Sequence, residues 1–456
     1  MADIAALLAE LPGIETETDP AMVRLKSRDF YWYSPVLKPL LDGLRADAVI
    51  RPRCEAEVRA VLAACVRHRV PVTPRGGGTG NYGQAVPLQG GVVLDMTAMD
   101  RMLDISRGVA EVEAGASLLQ IDSWAREQGW ELRLWPSTKR TATIGGFVAG
   151  GGAGVGGIAH GTLRERGNLA GVTLATMEAE PRLLTLAWGE AAAANHAFGT
   201  TGVITRVRVP LAPAVPWRDI AASFASFDDA ARFGLAFGLS DGIAKKLCSV
   251  IDWPLPSFFR GLGGLLPEGR PVVLAMVAPC GLAAAEELVR EHGGTIEAEQ
   301  DFVAAEAAPE RTPFYEYSWN HTTLQVLKRD KGVTYLQLLF PPGRTLETVA
   351  AVRERFGDEL WMHTEVGRFG GQVTMSALPV VRWTGRERLW EIIAGCEEMG
   401  VAVANPHVYT LEEGARWKLV AADRLAFKRA VDPYGLLNPG KMASYLPAKA
   451  GEEYAA

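Results

Sequence analysis

The residues best placed to do chemistry lie in two glycine-rich runs. The first is Pro74-Arg-Gly-Gly-Gly-Thr-Gly-Asn-Tyr-Gly-Gln84, which follows the apolar stretch Val70-Pro-Val-Thr73. Successive glycines let backbone N–H groups converge on one anion, so this loop can cradle phosphate oxygens. Gly76, Gly77, Gly78 and Gly80 supply the amides, with Thr79 and Asn81 as side-chain donors. The spacing is neither Gly-x-Gly-x-x-Gly nor a Walker A ending in Gly-Lys-Ser/Thr. The second run spans Gly145 to Gly161, behind Pro136-Ser-Thr-Lys-Arg-Thr-Ala-Thr-Ile-Gly-Gly146. Proton transfer near neutral pH calls for histidine, and there are seven: His68, His160, His196, His292, His321, His363 and His407.

Elements of both kinds must hold these loops. Strands are predicted at Ala48 to Pro52, Val70 to Thr73, Gly91 to Asp95, Val109 to Ala114, Leu169 to Thr176, Leu183 to Leu186 and Arg206 to Leu211. Helical spacing of Val58, Val61, Leu62, Cys65 and Val66 predicts a helix over Cys54 to His68, and Ser117 opens another that runs to Gln128. Ile144 to Ala159 is mostly glycine and alanine and reads as a tight loop. Ala212-Pro-Ala-Val-Pro216 reads as a boundary. Beyond it come helix Phe227 to Leu239, strand Val272 to Val277, helix Leu282 to His292, strand Thr334 to Phe340 and helix Leu346 to Phe356. The fold class is α+β.

Composition narrows the function classes. The chain has 456 residues, 48% hydrophobic and 22% charged, with net charge −6. That is a globular balance with no basic footprint for nucleic acid. The N-terminal Met1-Ala-Asp-Ile has an acid where a secretory signal needs bases, and no apolar run reaches transmembrane length. Five cysteines, odd in number and without a CxxC, fit a reduced cytoplasmic protein.

Arg75–Gly80, Thr143–Gly146, Gly199-Thr-Thr-Gly-Val-Ile-Thr205 and Asp432-Pro-Tyr-Gly-Leu-Leu-Asn-Pro-Gly-Lys441 together resemble the FAD-dependent vanillyl-alcohol oxidase/p-cresol methylhydroxylase superfamily, nearest its D-lactate dehydrogenase and glycolate oxidase branch. The resemblance implies a PCMH-type FAD-binding domain over residues 1–213, a substrate-binding cap over 214–410 and a C-terminal segment, 411–456, returning to the first domain. It implies that Arg75, Gly76, Gly77, Gly78, Thr79, Gly80 and Asn81 bind the FAD pyrophosphate. Pro136, Ser137, Thr143, Gly145, Gly146, Gly150 and Val155 would line the flavin and its ribityl chain. Val203 and Ile204 would lie near the adenine, and Asn438 and Lys441 would approach the flavin from the C-terminus. Thr79 stands where covalent members carry His, and the second run has no Cys, so non-covalent FAD is expected.

The sequence departs from the family in its cap. Glu365-Val-Gly-Arg-Phe-Gly-Gly-Gln-Val-Thr374 lacks both histidines of the metal motif, and the later EHG reads Glu412-Glu413-Gly414, so no catalytic metal is expected. The substrate arginine of a WxxR pattern is missing from Trp319-Asn-His-Thr322, and a guanidinium's bidentate grip on carboxylate is not reproduced by Thr. The expected activity is oxidation of a CH–OH group (alcohol, hydroxylated aromatic or 2-hydroxy acid) by hydride transfer to flavin N5. His363, His407 and His321 are the candidate bases, followed by Tyr409, Glu412 and His160. His196 reads as structural, His68 and His292 as surface. The implied partners are a small-molecule substrate and an electron acceptor, oxygen or a redox carrier, with homodimerisation left open. The alternative is the FAD-binding subunit of a multi-component glycolate-oxidase-type dehydrogenase.

Overall fold

The computed structural model describes residues 3–308, 310–412 and 420–445. Four sheets carry the described residues. The first runs in the order Glu15–Glu17, Ala48–Arg51, Val92–Asp95, Val72–Arg75, its last three strands parallel. Helix Glu55–His68 makes the crossover between Ala48–Arg51 and Val72–Arg75. It buries Val58, Val61, Leu62, Cys65 and Val66 and ends at Arg69 in the left-handed region, φ 55°. The second sheet is antiparallel. Val203–Pro213 is its long central strand, with Val109–Glu113 on one side and Gly171–Ala175 on the other.

The sheets change over between Pro213 and Arg218. A third sheet of eight strands then runs from Thr295–Asp301 at one edge to Ala402–Val403 at the other. Its strand Lys245–Ile251 pairs His363–Phe369 at the centre. A small fourth sheet joins Val333–Tyr335, Val380–Arg382 and Leu360–Trp361. The chain finally comes back to the first sheet: Val72 N–H donates to Leu436 O (2.8 Å) and Asn438 N–H to Val72 O (2.7 Å). Among the described residues no helix is long and apolar enough to cross a membrane.

Two predicted elements need correction. Ile144 to Ala159 is not all loop: Ile144–Gly150 is a helix, its Thr143 cap accepting from Gly146 N–H (3.2 Å). Ile144, Phe147 and Val148 fall on one buried face, which outweighs the low propensity of the glycines. The predicted strand Thr334 to Phe340 is two strands, Val333–Tyr335 and Leu338–Leu339, in different sheets. Tyr335, Leu336, Leu338 and Phe340 are all buried, so an apolar run without a period concealed the break.

The glycine-loop side and the third sheet meet through buried charge. Glu131 accepts from the ammonium of Lys246, from Arg126 (2.6 Å) and from Trp217 Nε1–H (2.9 Å). Removing one partner of a buried pair strands the other and costs about 3–5 kcal/mol. Glu131→Leu is therefore expected to lower unfolding stability by about that much, measured by denaturant midpoint. A loss below about 1 kcal/mol would mean that the network relaxes without it.

Candidate active site

A cavity of about 530 Å³ opens between the two glycine runs and the third sheet. Arg75 to Asn81 line one wall, as do Pro136, Ser137, Thr143, Gly145, Gly146, Gly150, Val203 and Ile204. Asp29, Tyr82, Gln84, Thr162, Arg164 and Glu165 extend that side. Trp319, Asn320, Gln337, Phe369, Leu378 and Ala404 face them from the cap. Val155, Asn438 and Lys441 do not line it. Val155 is buried and bridges Trp135. Asn438 donates to Gln84 O (2.9 Å) and Phe198 O (2.6 Å), and Lys441 to Gly83 O (2.6 Å). These two side chains brace the end of the first loop from behind.

The loops touch at their backbones. A Cβ at Gly77 would lie 2.1 Å from Thr141 O, so only glycine fits there. Gly151 is in the left-handed region, φ 66°, and a Cβ there would meet His196 at 2.2 Å. The amides of Gly76 to Gly80 find no acceptor among the described residues, and Asn81 Nδ2 is buried without one. A cluster of N–H donors on a glycine cradle is the donor set that a pyrophosphate takes. The apolar remainder of the cavity suits a flat ring system. The residues present therefore fit FAD.

The cap wall carries its own unsatisfied groups. Trp319 Nε1 and Asn320 Oδ1 are buried without partners. Trp319 has φ 50°, a strained value for a bulky residue. Its N–H donates to Glu365 Oε1 (2.6 Å), and Glu365 also accepts from Ser249 Oγ (2.6 Å) and His363 Nε2 (2.8 Å). A fully buried carboxylate thus holds Trp319 in that conformation. Tyr82 Oη meets Gln337 Nε2 across the cavity, and burial pushes its pKa up to about 12.

None of the three cap histidines lines the cavity. His363 is fully buried and pairs with Glu365; its Nδ1 has no partner. His407 lies between Ser34 Oγ (2.7 Å) and Tyr335 O (3.0 Å), tying the N-terminal segment to the small fourth sheet. His321 pairs with Glu316 (3.2 Å), a residue of a separate cleft beside Arg260 and Arg311. Tyr409 packs against Lys441, whose Nζ lies 5.2 Å from its ring centroid. Glu412 accepts from Ala443 N–H and Ser444 N–H, both 2.9 Å. His160 also stands off the cavity, and burial lowers its pKa to about 4. His196, read from sequence as structural, is the one histidine in the cavity wall among the described residues, with Nδ1 at 2.7 Å from Gly150 O. Among the described residues no three His, Cys, Asp or Glu side chains gather as metal ligands. Glu413 and Gly414 of the EHG counterpart lie outside them.

Sequence reasoning did not single out Asp29, Gln337 or Arg164. Only Arg164 had a signal, as a charged residue within the turn that follows the second glycine run.

Comparisons with known proteins agree with this geometry. Residues 46–182 match the family model described as FAD binding domain. A glycolate oxidase subunit, GlcD, of Escherichia coli (strain K12) is 28% identical, covering 96% of this chain and 90% of the relative. A D-lactate dehydrogenase of Archaeoglobus fulgidus is 38% identical over 25% of this chain and 26% of its own length. The fold matches that of a solved alkyldihydroxyacetonephosphate synthase with TM-score 0.72 at 14% identity, over 96% of this chain and 85% of that one.

Two outcomes are expected. Gly77→Ala forces the loops apart, so the folded variant should purify with little or no flavin, read from its visible spectrum; wild-type flavin content would mean that the loops can shift without harm. Burial lowers the pKa of His407 from 6.5 to about 4. The unfolded chain then binds the extra proton first, so stability is lost as pH falls from 6.5 towards 4, by about 3 kcal/mol for this group. His407→Gln removes that titration. The stability gap between wild type and variant should narrow over this range in denaturant melts, and a constant gap would contradict it.

Proposed function

We propose that the chain is an FAD-dependent oxidoreductase of the vanillyl-alcohol oxidase/p-cresol methylhydroxylase superfamily, on the D-lactate dehydrogenase and glycolate oxidase branch, and that it oxidises the CH–OH group of a small molecule. The observation that carries this reading is the shared cavity. Its glycine side presents unpaired amides for a pyrophosphate, and its cap side is formed by Trp319, Asn320, Gln337 and Phe369. Bound there, FAD supplies a two-electron acceptor for the hydride of the substrate carbon. The chain's own task is to orient the substrate and receive its hydroxyl proton. Trp319, Asn320 and Gln337 are the cap residues against which a hydroxylated ligand would rest. Trp319 is held by Glu365 rather than by solvent, so the wall is preorganised.

Among the cap histidines, His363 has the make-up of a proton acceptor. Its Nε2–H donates to Glu365, which leaves the Nδ1 lone pair unclaimed. It lies behind Trp319, joined to it through the same carboxylate. His407 has both nitrogens committed to hydrogen bonds and is assigned no catalytic role. The flavin is held without a covalent bond: Thr79 occupies the loop position, and no cysteine lines the cavity among the described residues. A second reading has one specific support, since the relative matched over 96% of this chain is named as a subunit. In that case flavin reduction is intrinsic to the chain and fast turnover needs a further component.

Anaerobic mixing with glycolate, D-lactate, 1,2-propanediol and benzyl alcohol tests the reading. At least one should bleach the flavin. His363→Gln should slow the bleaching about 10²–10⁴-fold, with flavin content unchanged and His407→Gln near wild type. Acid precipitation should release the flavin to the supernatant. Failure of every CH–OH donor to reduce the flavin would reject the activity, and wild-type reduction by His363→Gln would reject the base.

A further inference from the structure

The cap position expected to hold a substrate carboxylate is Thr322, which is fully buried and donates its hydroxyl to Tyr317 O (2.5 Å). No cation enters the cavity from there. One does enter from the opposite wall. Arg164 sits on the tight turn after the second glycine run, and its side chain lines the cavity with Tyr82, Gln337 and Phe369. The turn is fixed. Asn168 Nδ2 donates to His160 O (2.6 Å) and Thr162 O (2.8 Å), and Glu165 N–H donates to Thr162 O (3.0 Å). Glu165 Oε1 accepts from Gly370 N–H (2.8 Å), which ties the turn to the hairpin joining His363–Phe369 and Gln372–Ala377.

The guanidinium of Arg164 has neither a hydrogen bond nor an ion pair among the described residues; only its backbone N–H is engaged, with Thr162 Oγ1 (3.3 Å). The adjacent carboxylate, Glu165, is committed to Gly370. The other strong charge acting on Arg164 is a second guanidinium, Arg424, whose own donors are taken by Ala192 O, Asn195 O and His196 O. Arg75, by contrast, has Asp29 and Asp95 near it and donates to Arg28 O. Arg164 is thus a cavity cation that no carboxylate neutralises among the described residues, near the Tyr82 phenol and on the same cavity as Trp319 and Asn320.

We propose that Arg164 is the specificity-determining residue that holds the carboxylate of the substrate, entering from the glycine-loop side in place of an arginine on the cap. The substrate class is then a small hydroxy acid, its carboxylate on the Arg164 fork and its hydroxyl near Trp319 and Asn320. A guanidinium matches a carboxylate with two parallel N–H bonds, whereas a neutral alcohol leaves it unpaired. This rests on the CH–OH oxidation proposed above, and the experiment separates the two.

The flavin-loaded protein is titrated with oxalate, an unreactive dicarboxylate, and binding is read from the visible flavin spectrum. Wild type should show a saturable perturbation. Arg164→Met should bind oxalate about 10- to 100-fold more weakly, with Arg164→Lys between them and flavin content unchanged in both. In parallel, reduction by glycolate should suffer in Arg164→Met more than reduction by 1,2-propanediol. Equal oxalate affinity in wild type and Arg164→Met overturns the proposal, as does the absence of any oxalate response. Loss of flavin from Arg164→Met would overturn the proposal and assign Arg164 to holding the cofactor instead. Oxalate binding without reduction by any CH–OH donor would leave the anion site standing and reject the activity. Reduction by neutral alcohols alone would do the reverse.

Discussion

A buried set of alternating charges around Trp135 sets the distance between the cap and the glycine loops. Lys139 and Lys246 place their ammoniums 4.3 and 4.1 Å from the ring centroid of this fully buried indole. Lys139 pairs with Asp122 and Glu306, both at 2.8 Å; Lys246 pairs with Glu131; and Arg126 joins Asp122 (3.1 Å) to Glu131 (2.6 Å). Cations and carboxylates balance. Burial alone would raise the pKa of Asp122, yet Lys139, Lys246 and Arg126 hold it at about 2. A charge taken out of water survives only with such partners.

Position in the chain makes this network more than a local feature. Lys139 lies inside the second loop, two residues before Thr141, whose carbonyl faces Gly77. Glu306 and Lys246 belong to the cap side. Lys246 also offers its carbonyl to Gly156 N–H (2.8 Å), which fixes the far end of the glycine run. One set of ion pairs therefore registers the first glycine loop, the second loop and the third sheet against one another. The cavity is the space left between them. A dispersive apolar contact would tolerate sliding, whereas directional charge pairs in a low dielectric specify one registry.

Much of this could be read from the sequence because it depends on local backbone demands. Glycine runs mark places where a Cβ cannot fit, and Gly77 and Gly151 meet that description. The amphipathic helix over Glu55–His68 and the strand Val272–Val277 announce themselves by periodicity and by an unbroken apolar run. What stayed hidden depends on long-range neighbours. Lys139 and Lys246 look like ordinary surface lysines until the fold brings carboxylates from distant segments beside them. His407 looks like a base until Ser34, from the other end of the chain, takes its Nδ1. Arg164 looks like one more charge in a polar turn until the absence of a partner around it is visible.

The cap histidines show how the same residue type serves two ends. His407 is held neutral between a hydroxyl and a carbonyl, so its value to the fold is a pair of hydrogen bonds and its proton affinity is reduced. His363 has a carboxylate on Nε2 and no partner on Nδ1, so its ring is anchored from one side only. The strained backbone at Trp319 persists because Glu365 accepts its N–H while also accepting from His363 and Ser249. Strain in the cavity wall and the orientation of the buried imidazole are therefore joined through a single carboxylate. The backbone of Trp319 in the cavity wall and the imidazole of His363 behind it are held by one shared acceptor, and neither can shift without the other responding.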